Sequence, residues 1–266
     1  MHINKNIDEQ QSVVSETWND VWKKQDGISP LTHFRGRLFV DGYATLKKYI
    51  PNDIGEMVEI GAGTGRYALK LAQDLPKSRV LITDITEESL RTAERFGREL
   101  GLTNIRTQKE DITKLSFPDS SIEAVMMDCV IPHVPDYELA VSEVSRVLKN
   151  DGLLVMAHVN PLNIPHTLYR FWVTHFGKGY LYGLERAFTR KQWRTMCEKN
   201  NLKIVATDGF SVGYGIYRHK NKSRIFGMIG RIINRISKII DRYTNQWCSR
   251  TFGFETVTVA IKQGRG

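Results

Sequence analysis

Val58-Glu59-Ile60-Gly61-Ala62-Gly63-Thr64-Gly65-Arg66-Tyr67 is the stretch that decides how this 266-residue chain folds. An apolar run over 57–60 stops at three glycines on alternate positions. A helical pattern follows at once through Tyr67, Leu69, Leu71 and Ala72. That order predicts strand, tight turn, helix. Glycines at such a turn permit positive φ and let a ligand approach the bare backbone. The third glycine comes two residues after the second, where a dinucleotide-binding turn spaces them by three. Glu59 stands two residues before the first glycine.

Working outward, further apolar strand candidates lie at 80–83, 122–127 and 153–158, with helical segments at 65–75, 87–100 and 136–149 between them. Strands alternating with helices predict a parallel sheet covered on both faces. A weaker strand at 104–108, a late strand at 202–207 and a last one at 256–261 complete the set, with a helix at 189–200. Lys149-Asn150-Asp151-Gly152 is built from residues that tolerate left-handed geometry and predicts a turn. The expected fold is therefore α/β, a Rossmann-like, mostly parallel seven-stranded sheet. An N-terminal helical cap precedes it and a helical insertion interrupts it before the last strand. The expected division is 1–50 cap, 51–160 core, 161–210 aromatic segment with a late helix and strand, 211–250 insertion and 251–266 final strand.

The cap is expected to hold an amphipathic helix over 7–25, with Trp18 and Trp22 at helical spacing, and a second over 36–49. Trp18 and Trp22 either pack on the domain or form a lid over its ligand. The segment 162–182 is rich in aromatics, among them Tyr169, Phe171, Trp172 and Tyr180. It either packs as a hydrophobic cap or receives an acceptor with a substantial apolar part.

Net charge is +9, and it is not evenly spread. Residues 211–266 hold eleven Lys/Arg against two Asp/Glu, which leaves 1–210 neutral. A partner drawn by charge belongs at the C-terminal fifth. Cys129, Cys197 and Cys248 are odd in number and far apart, with no C-x-x-C pair. That argues against a disulfide framework or a zinc site, and no metal is expected. Residues 1–11 carry no apolar core of a signal peptide. A cytoplasmic location is expected, extended to peripheral attachment at the inner face of a membrane.

In an open α/β sheet, ligands bind beyond the carboxyl ends of the strands. Polar groups stand at those ends in order: Gly61 to Gly65, then Asp84, then Glu110-Asp111-Ile112, then Asp128-Cys129. An acid at Asp84 can accept from both hydroxyls of a ribose, although Asp84 also suits the cap of the next helix.

With V-E-I-G-A-G-T-G at 58–65, T-D-I-T at 83–86, E-D-I at 110–112 and F-P-D-S-S-I-E-A-V at 117–125, residues 55–160 resemble the class I S-adenosylmethionine (SAM) dependent methyltransferases. The resemblance is closest to the small-molecule and lipid-methylating group, and E-V-S-R-V-L-K-N-D-G-L-L at 143–154 extends it. It implies SAM as cofactor. Glu59, Gly61, Ala62, Gly63, Thr64 and Gly65 would meet the amino acid end. Asp84 and Ile85 would take the ribose and adenine, Asp111 and Ile112 would flank the adenine, and Asp128 and Cys129 would lie near the methionine moiety. Asn150-Asp151 stands where the family commonly has Pro-Gly.

Methyl transfer to an oxygen needs a base near the methyl group, and histidine titrates near working pH. His133, beyond the fourth strand, and His158, ending the fifth, are the candidates. The expected activity is SAM-dependent methylation of a small-molecule, glycan or lipid-linked acceptor, at oxygen. An RNA methyltransferase and a non-catalytic SAM-binding partner subunit are the alternatives.

The insertion carries Ile225, Ile229, Ile232, Ile233, Ile236, Ile239, Ile240 and Tyr243 along one helical face of 224–243. Arg224, Arg231, Arg235, Lys238 and Arg242 flank it on one side, and Gly227, Gly230, Asn234 and Ser237 on the other. The mid-helix cations exclude a membrane span, at ~2.5–3.5 kcal/mol each. Three readings remain. The isoleucine face packs on the domain or on a second copy in a homodimer, or 222–246 lies on an anionic membrane surface, or it touches nucleic acid. The last is disfavoured, because basic and aromatic residues are segregated rather than interleaved.

Overall fold

The computed structural model describes residues 7–23, 29, 34–177, 180 and 182–264. Its centre is one sheet of seven strands: β1 (Glu56–Ile60), β2 (Arg79–Asp84), β3 (Ile105–Lys109), β4 (Ile122–Asp128), β5 (Leu148–Val159), β6 (Leu202–Phe210) and β7 (Glu255–Lys262). The order is β3-β2-β1-β4-β5-β7-β6. The pairings among β1 to β5 are parallel, and β7 runs antiparallel to both β5 and β6. Strand order reverses between β1 and β4, so their carboxyl ends frame the crevice where this sheet type takes ligands.

Ten helices accompany the strands among the described residues: α1 (Ile7–Lys23), α2 (Arg37–Lys47), α3 (Arg66–Asp74), α4 (Glu87–Glu99), α5 (Tyr137–Val147), α6 (Ile164–His175), α7 (Arg190–Lys199), α8 (Tyr214–Tyr217), α9 (Arg224–Tyr243) and α10 (Trp247–Phe252). The alternation of strand side chains sorts the core into two layers. Met57, Met126, Val155 and Val257 pack with Phe39 and Leu46 of α2, Leu69 and Leu71 of α3 and Phe96 of α4. Val58, Val125, Leu154 and Met156 pack on the other face with Val144 of α5 and Trp193 and Met196 of α7.

Most expected elements are present, and three regions differ. The expected turn at 149–152 is absorbed into β5, where Asp151 takes φ +62° and the β4–β5 register shifts between Ile122 and Ala124. The left-handed tendency of these residues is spent on a bulge. Residues 164–175 form a helix within the aromatic segment, started by Pro165 in the first turn, where a missing N–H costs nothing. The end expected for the first helix, at 24–25, lies outside the described residues.

The third difference is the orientation of α9. Gly227, Gly230, Asn234 and Ser237 are its buried residues. Gly213 N donates to Asn234 Oδ1 at 2.6 Å, and a Cβ on Gly230 would fall 2.7 Å from the Gly213 carbonyl oxygen and from Tyr217 N. Lys238 Nζ reaches Asp41 of α2 at 2.7 Å. Backbone therefore meets backbone along the small-residue face. The isoleucine face is not packed on the domain: apart from half-buried Ile233, its large apolar residues from Ile225 to Tyr243 are 37–85% exposed. The reading in which those isoleucines pack on this domain is corrected. Close approach of helices requires the small side chains, and they sit on the opposite flank.

Candidate active site

The glycine turn is built by its neighbours. Gly61, Gly63 and Gly65 all have positive φ. A Cβ on Gly63 would lie 2.5 Å from Trp22 Cζ2, so the aromatic ring of α1 sits directly against the turn. Gly65 caps α3 with no side chain to receive the helix N–H groups. Glu59 does that work from β1, accepting from Ala68 N at 2.7 Å. Burial pushes the Glu59 carboxyl up to about 8, against the opposing effect of that hydrogen bond. Asp84 braces the same turn from β2: Oδ2 accepts from Gly63 N at 2.7 Å, and Oδ1 from Thr86 N and Oγ1. It thus serves the cap of α4 and the turn together. Burial raises its pKa as well.

Above these strand ends lies a cavity of about 370 Å³. Glu59, Gly61 to Thr64, Asp84, Ile85, Ile112, Asp128 and Cys129 line it together. Gly65 and Asp111 do not. Gly65 serves packing, since a Cβ there would press on Ala93 and Ile82. The Asp111 carboxylate is held by Thr113 and by Gln11 of α1, at 2.8–3.1 Å, and its neighbour Glu110 faces the cavity instead.

At the far end of β4, Asp128 meets Glu255, the first residue of β7. With Cys129 they bring three potential ligand atoms within 4.8 Å of one another, a cluster that the sequence spacing hides. Burial raises the pKa of Asp128, and burial together with the Asp128 charge raises that of Glu255. Burial also drives the Cys129 thiol well up. Asp128 Oδ1 and Glu255 Oε2 are buried and have no hydrogen-bond partner among the described residues. Such acceptors suit the α-ammonium of an amino acid, and backbone N–H groups at the turn suit its carboxylate. The cavity thus joins a polar end, at the turn and Asp128, to apolar lining at Ile85 and Ile112.

His133 lies on this cavity, and His158 does not. His158 is buried against Trp193, ring centroids 4.3 Å apart, and burial drops its pKa to about 3. It shares strand parity with Leu154 and Met156, which face Trp193's layer, so its expected role as a base is corrected. His133 Nδ1 sits 2.5 Å from the Leu184 carbonyl oxygen. Only a protonated Nδ1 satisfies that contact, which leaves Nε2 with the free lone pair. Burial lowers the His133 pKa, partly offset by the Glu185 charge, so the neutral form prevails at neutral pH.

The α1 helix forms one wall. Gln11, Val14, Trp18, Val21 and Trp22 line the cavity. Trp18 stacks on Trp22 at 5.5 Å and on Tyr182 at 5.6 Å, and meets the His133 ring edge-on at 5.1 Å. Glu110, at its strand end, and Tyr180 and Tyr182, of the aromatic segment, line the cavity too, together with Glu255, Arg66, Tyr67, Glu185, Tyr214 and Arg218, for which the sequence suggests no site role. The acid at the head of the last strand had one available signal: parity and polarity at the start of an otherwise apolar strand.

Residues 58–156 match the family model described as a methyltransferase domain. Over 154 residues the chain is 32% identical to a ubiquinone/menaquinone biosynthesis C-methyltransferase of Rickettsia bellii, covering 55% of this chain and 60% of that one. Over 147 residues it is 30% identical to the uncharacterized methyltransferase YcgJ of Bacillus subtilis, covering 55% of this chain and 56% of that one. The chain thus spans about 60% of the length of these curated relatives. The protein in complex with the Haloferax volcanii Trm112 methyltransferase activator superimposes with a TM-score of 0.67 at 16% identity, over 95% of this chain and 99% of that one. That likeness is one of fold.

Proposed function

We propose, from the premise that residues 58–156 form a class I SAM-dependent methyltransferase domain, that this protein methylates a small, partly apolar acceptor at oxygen, with His133 as the general base. Bound SAM supplies an electrophilic methyl group on its sulfonium. The protein's part is to orient the acceptor, exclude water and accept one proton. Glu59 and Asp84 hold the glycine turn in the shape that receives the cofactor. Asp128 and Glu255 offer acceptors to its ammonium. Trp18, Trp22 and Tyr182 form an aromatic wall that shields the reacting atoms and gives a flat acceptor a stacking surface.

The observation that carries the base assignment is the His133–Leu184 contact. It fixes the tautomer, so Nε2 takes the hydroxyl proton as the oxygen attacks, and the proton then passes to solvent. The deciding measurement follows the methyl label of radiolabelled SAM into polar-metabolite, lipid and RNA fractions. Label in a small-molecule or lipid fraction supports the reading. Label in RNA favours the RNA methyltransferase, and no transfer despite SAM binding favours a non-catalytic partner subunit.

A second element of the proposal concerns location. The outward isoleucine face of α9, flanked by Arg224, Arg231, Arg235 and Arg242, suits an anionic bilayer: apolar side chains enter the interface while cations meet head groups. A second copy is a poorer occupant, because dimerisation through this face would bring two strongly basic flanks together. Among the described residues no helix is long and apolar enough to cross a membrane. Acceptors reached from such a surface would be amphiphiles.

A further inference from the structure

One cation on the cavity wall plays no part in the chemistry above. Arg218 follows α8 and lines the cavity beside Tyr180, Tyr182 and Tyr214. Its Nη1 donates to His166 Nδ1 at 2.9 Å, and its guanidinium lies over the rings of Tyr169 and Phe254, 5.4 and 5.8 Å from their centroids. None of these partners is an anion. Among the described residues, no carboxylate stands within ion-pairing distance of Arg218. The carboxylate of this corner, Glu185, is already committed. It pairs with Arg170 at 3.0 Å, accepts from Tyr180 Oη at 3.1 Å and faces His166 Nε2 at 3.4 Å.

His166 is neutral in this arrangement. Its Nδ1 must keep a lone pair for Arg218, and burial lowers its pKa. Burial raises the pKa of Glu185, but the hydrogen bond from His166 and the charge of Arg170 outweigh that and lower it, so it is ionised. Arg170 cancels Glu185, and the charge of Arg218 remains. A half-buried guanidinium without a counter-ion carries a desolvation cost, and its fork geometry matches a carboxylate or phosphate in bidentate fashion.

We propose that Arg218 is the recognition site for an anionic group, a carboxylate or a phosphate, carried by the methyl acceptor. The inference rests on the methyltransferase reading and adds the acceptor's chemical class to it. Glu185 and Leu184 are consecutive, and the Leu184 carbonyl holds His133, so the anion is gripped on the side of the cavity that carries the base. Arg66, the first residue after the glycine turn, is the cation on the cofactor's side. The acceptor is then bound by its acid at Arg218 and its apolar body along Tyr182 and Trp18, with its hydroxyl toward His133.

The test loads the protein with S-adenosylhomocysteine and titrates it calorimetrically with phenyl phosphate, 4-hydroxybenzoate, neutral 4-hydroxybenzamide and inorganic phosphate. The wild-type protein is expected to bind the two aromatic anions at least about tenfold more tightly than the amide, the scale of one charge-assisted contact. R218Q should abolish that preference, R218K should keep part of it, and neither should change the affinity for S-adenosylhomocysteine. Equal binding of anionic and neutral probes by wild type, or an unaltered preference in R218Q, overturns the proposal. Loss of S-adenosylhomocysteine binding in R218Q also overturns it, because it assigns Arg218 to the cofactor's own carboxylate. Inorganic phosphate binding as tightly as phenyl phosphate overturns it in favour of a free-anion site. If R218Q does not fold, the wild-type probe series and R218K decide. If wild type fails to bind S-adenosylhomocysteine, the methyltransferase reading falls, and the same probes on unloaded protein still test Arg218.

Discussion

Two helices, α1 and α9, carry the same kind of amphipathic pattern and end in opposite orientations. The apolar and aromatic stripe of α1 turns inward, placing Trp18 and Trp22 on the cavity. The apolar stripe of α9 turns outward, and Gly227, Gly230, Asn234 and Ser237 face the domain. The difference is one of distance. Large rings fill a cavity wall, whereas α9 lies backbone to backbone against Gly213 and Tyr217, where isoleucine has no room. Hydrophobicity alone does not say which face of a helix packs. The space available at the docking surface does.

The inward side of this contrast is broken most severely at the histidine that Trp18 touches. His133→Ala is expected to lower turnover about 10²–10⁴-fold, the usual contribution of a general base, with SAM affinity preserved in titration. Unchanged turnover would remove His133 from the mechanism. The pH profile sharpens the point. The base works only when neutral, and burial lowers its pKa, so activity should fall in acid with an apparent pKa below 6.5 and stay level above it.

The packed face of α9 comes next. Gly230→Leu would put a side chain within 2.7 Å of the Gly213 oxygen and 2.6 Å of Tyr217 Cβ. A loss of about 3 kcal/mol is expected in denaturant unfolding. A loss below about 0.5 kcal/mol would mean that α9 does not dock by this face.

Gly63→Ala tests the contact of α1 with the turn. It forces a side chain into φ +56° and against Trp22. The backbone term is about 1–2 kcal/mol. Trp22→Ala in the same chain should recover the steric part and leave the backbone part, as read by SAM affinity and thermal unfolding.

The smallest change in stability belongs to the outward face. Ile232→Ser, Ile236→Ser and Ile239→Ser together should each cost no more than about 0.5 kcal/mol, as exposed positions do. The triple variant should nevertheless lose flotation with phosphatidylglycerol vesicles. Retained flotation would reject the membrane proposal.

The sheet and most of the cavity were legible because parallel strands gather their carboxyl ends. Gly61 to Thr64, Asp84, Ile85, Ile112, Asp128 and Cys129 are dispersed in sequence, yet each follows a strand, and topology alone brings them together. His158 also lies at a strand end, a position that by itself suggests a base. Its parity with Leu154 and Met156, which turns it onto Trp193, was available and outweighs position. Glu255 and Arg218 were less accessible. One depends on the antiparallel return of β7, the other on how an insertion of some 40 residues folds back. Neither carries a local motif. The direction of α9 was equally hidden, since its sequence displays all three flanks without saying where Gly213 will be.

The exposed isoleucine face also governs how molecules of this protein behave toward one another in water. Each presents a sticky stripe bordered by positive charge, and at low ionic strength repulsion between borders keeps neighbours apart. Raising salt shortens the reach of that repulsion, to about 3 Å at 1 M, while leaving the attraction between apolar stripes intact. The protein should therefore be monodisperse in dilute buffer and self-associate as salt rises, a colloidal behaviour written into one flank of one helix.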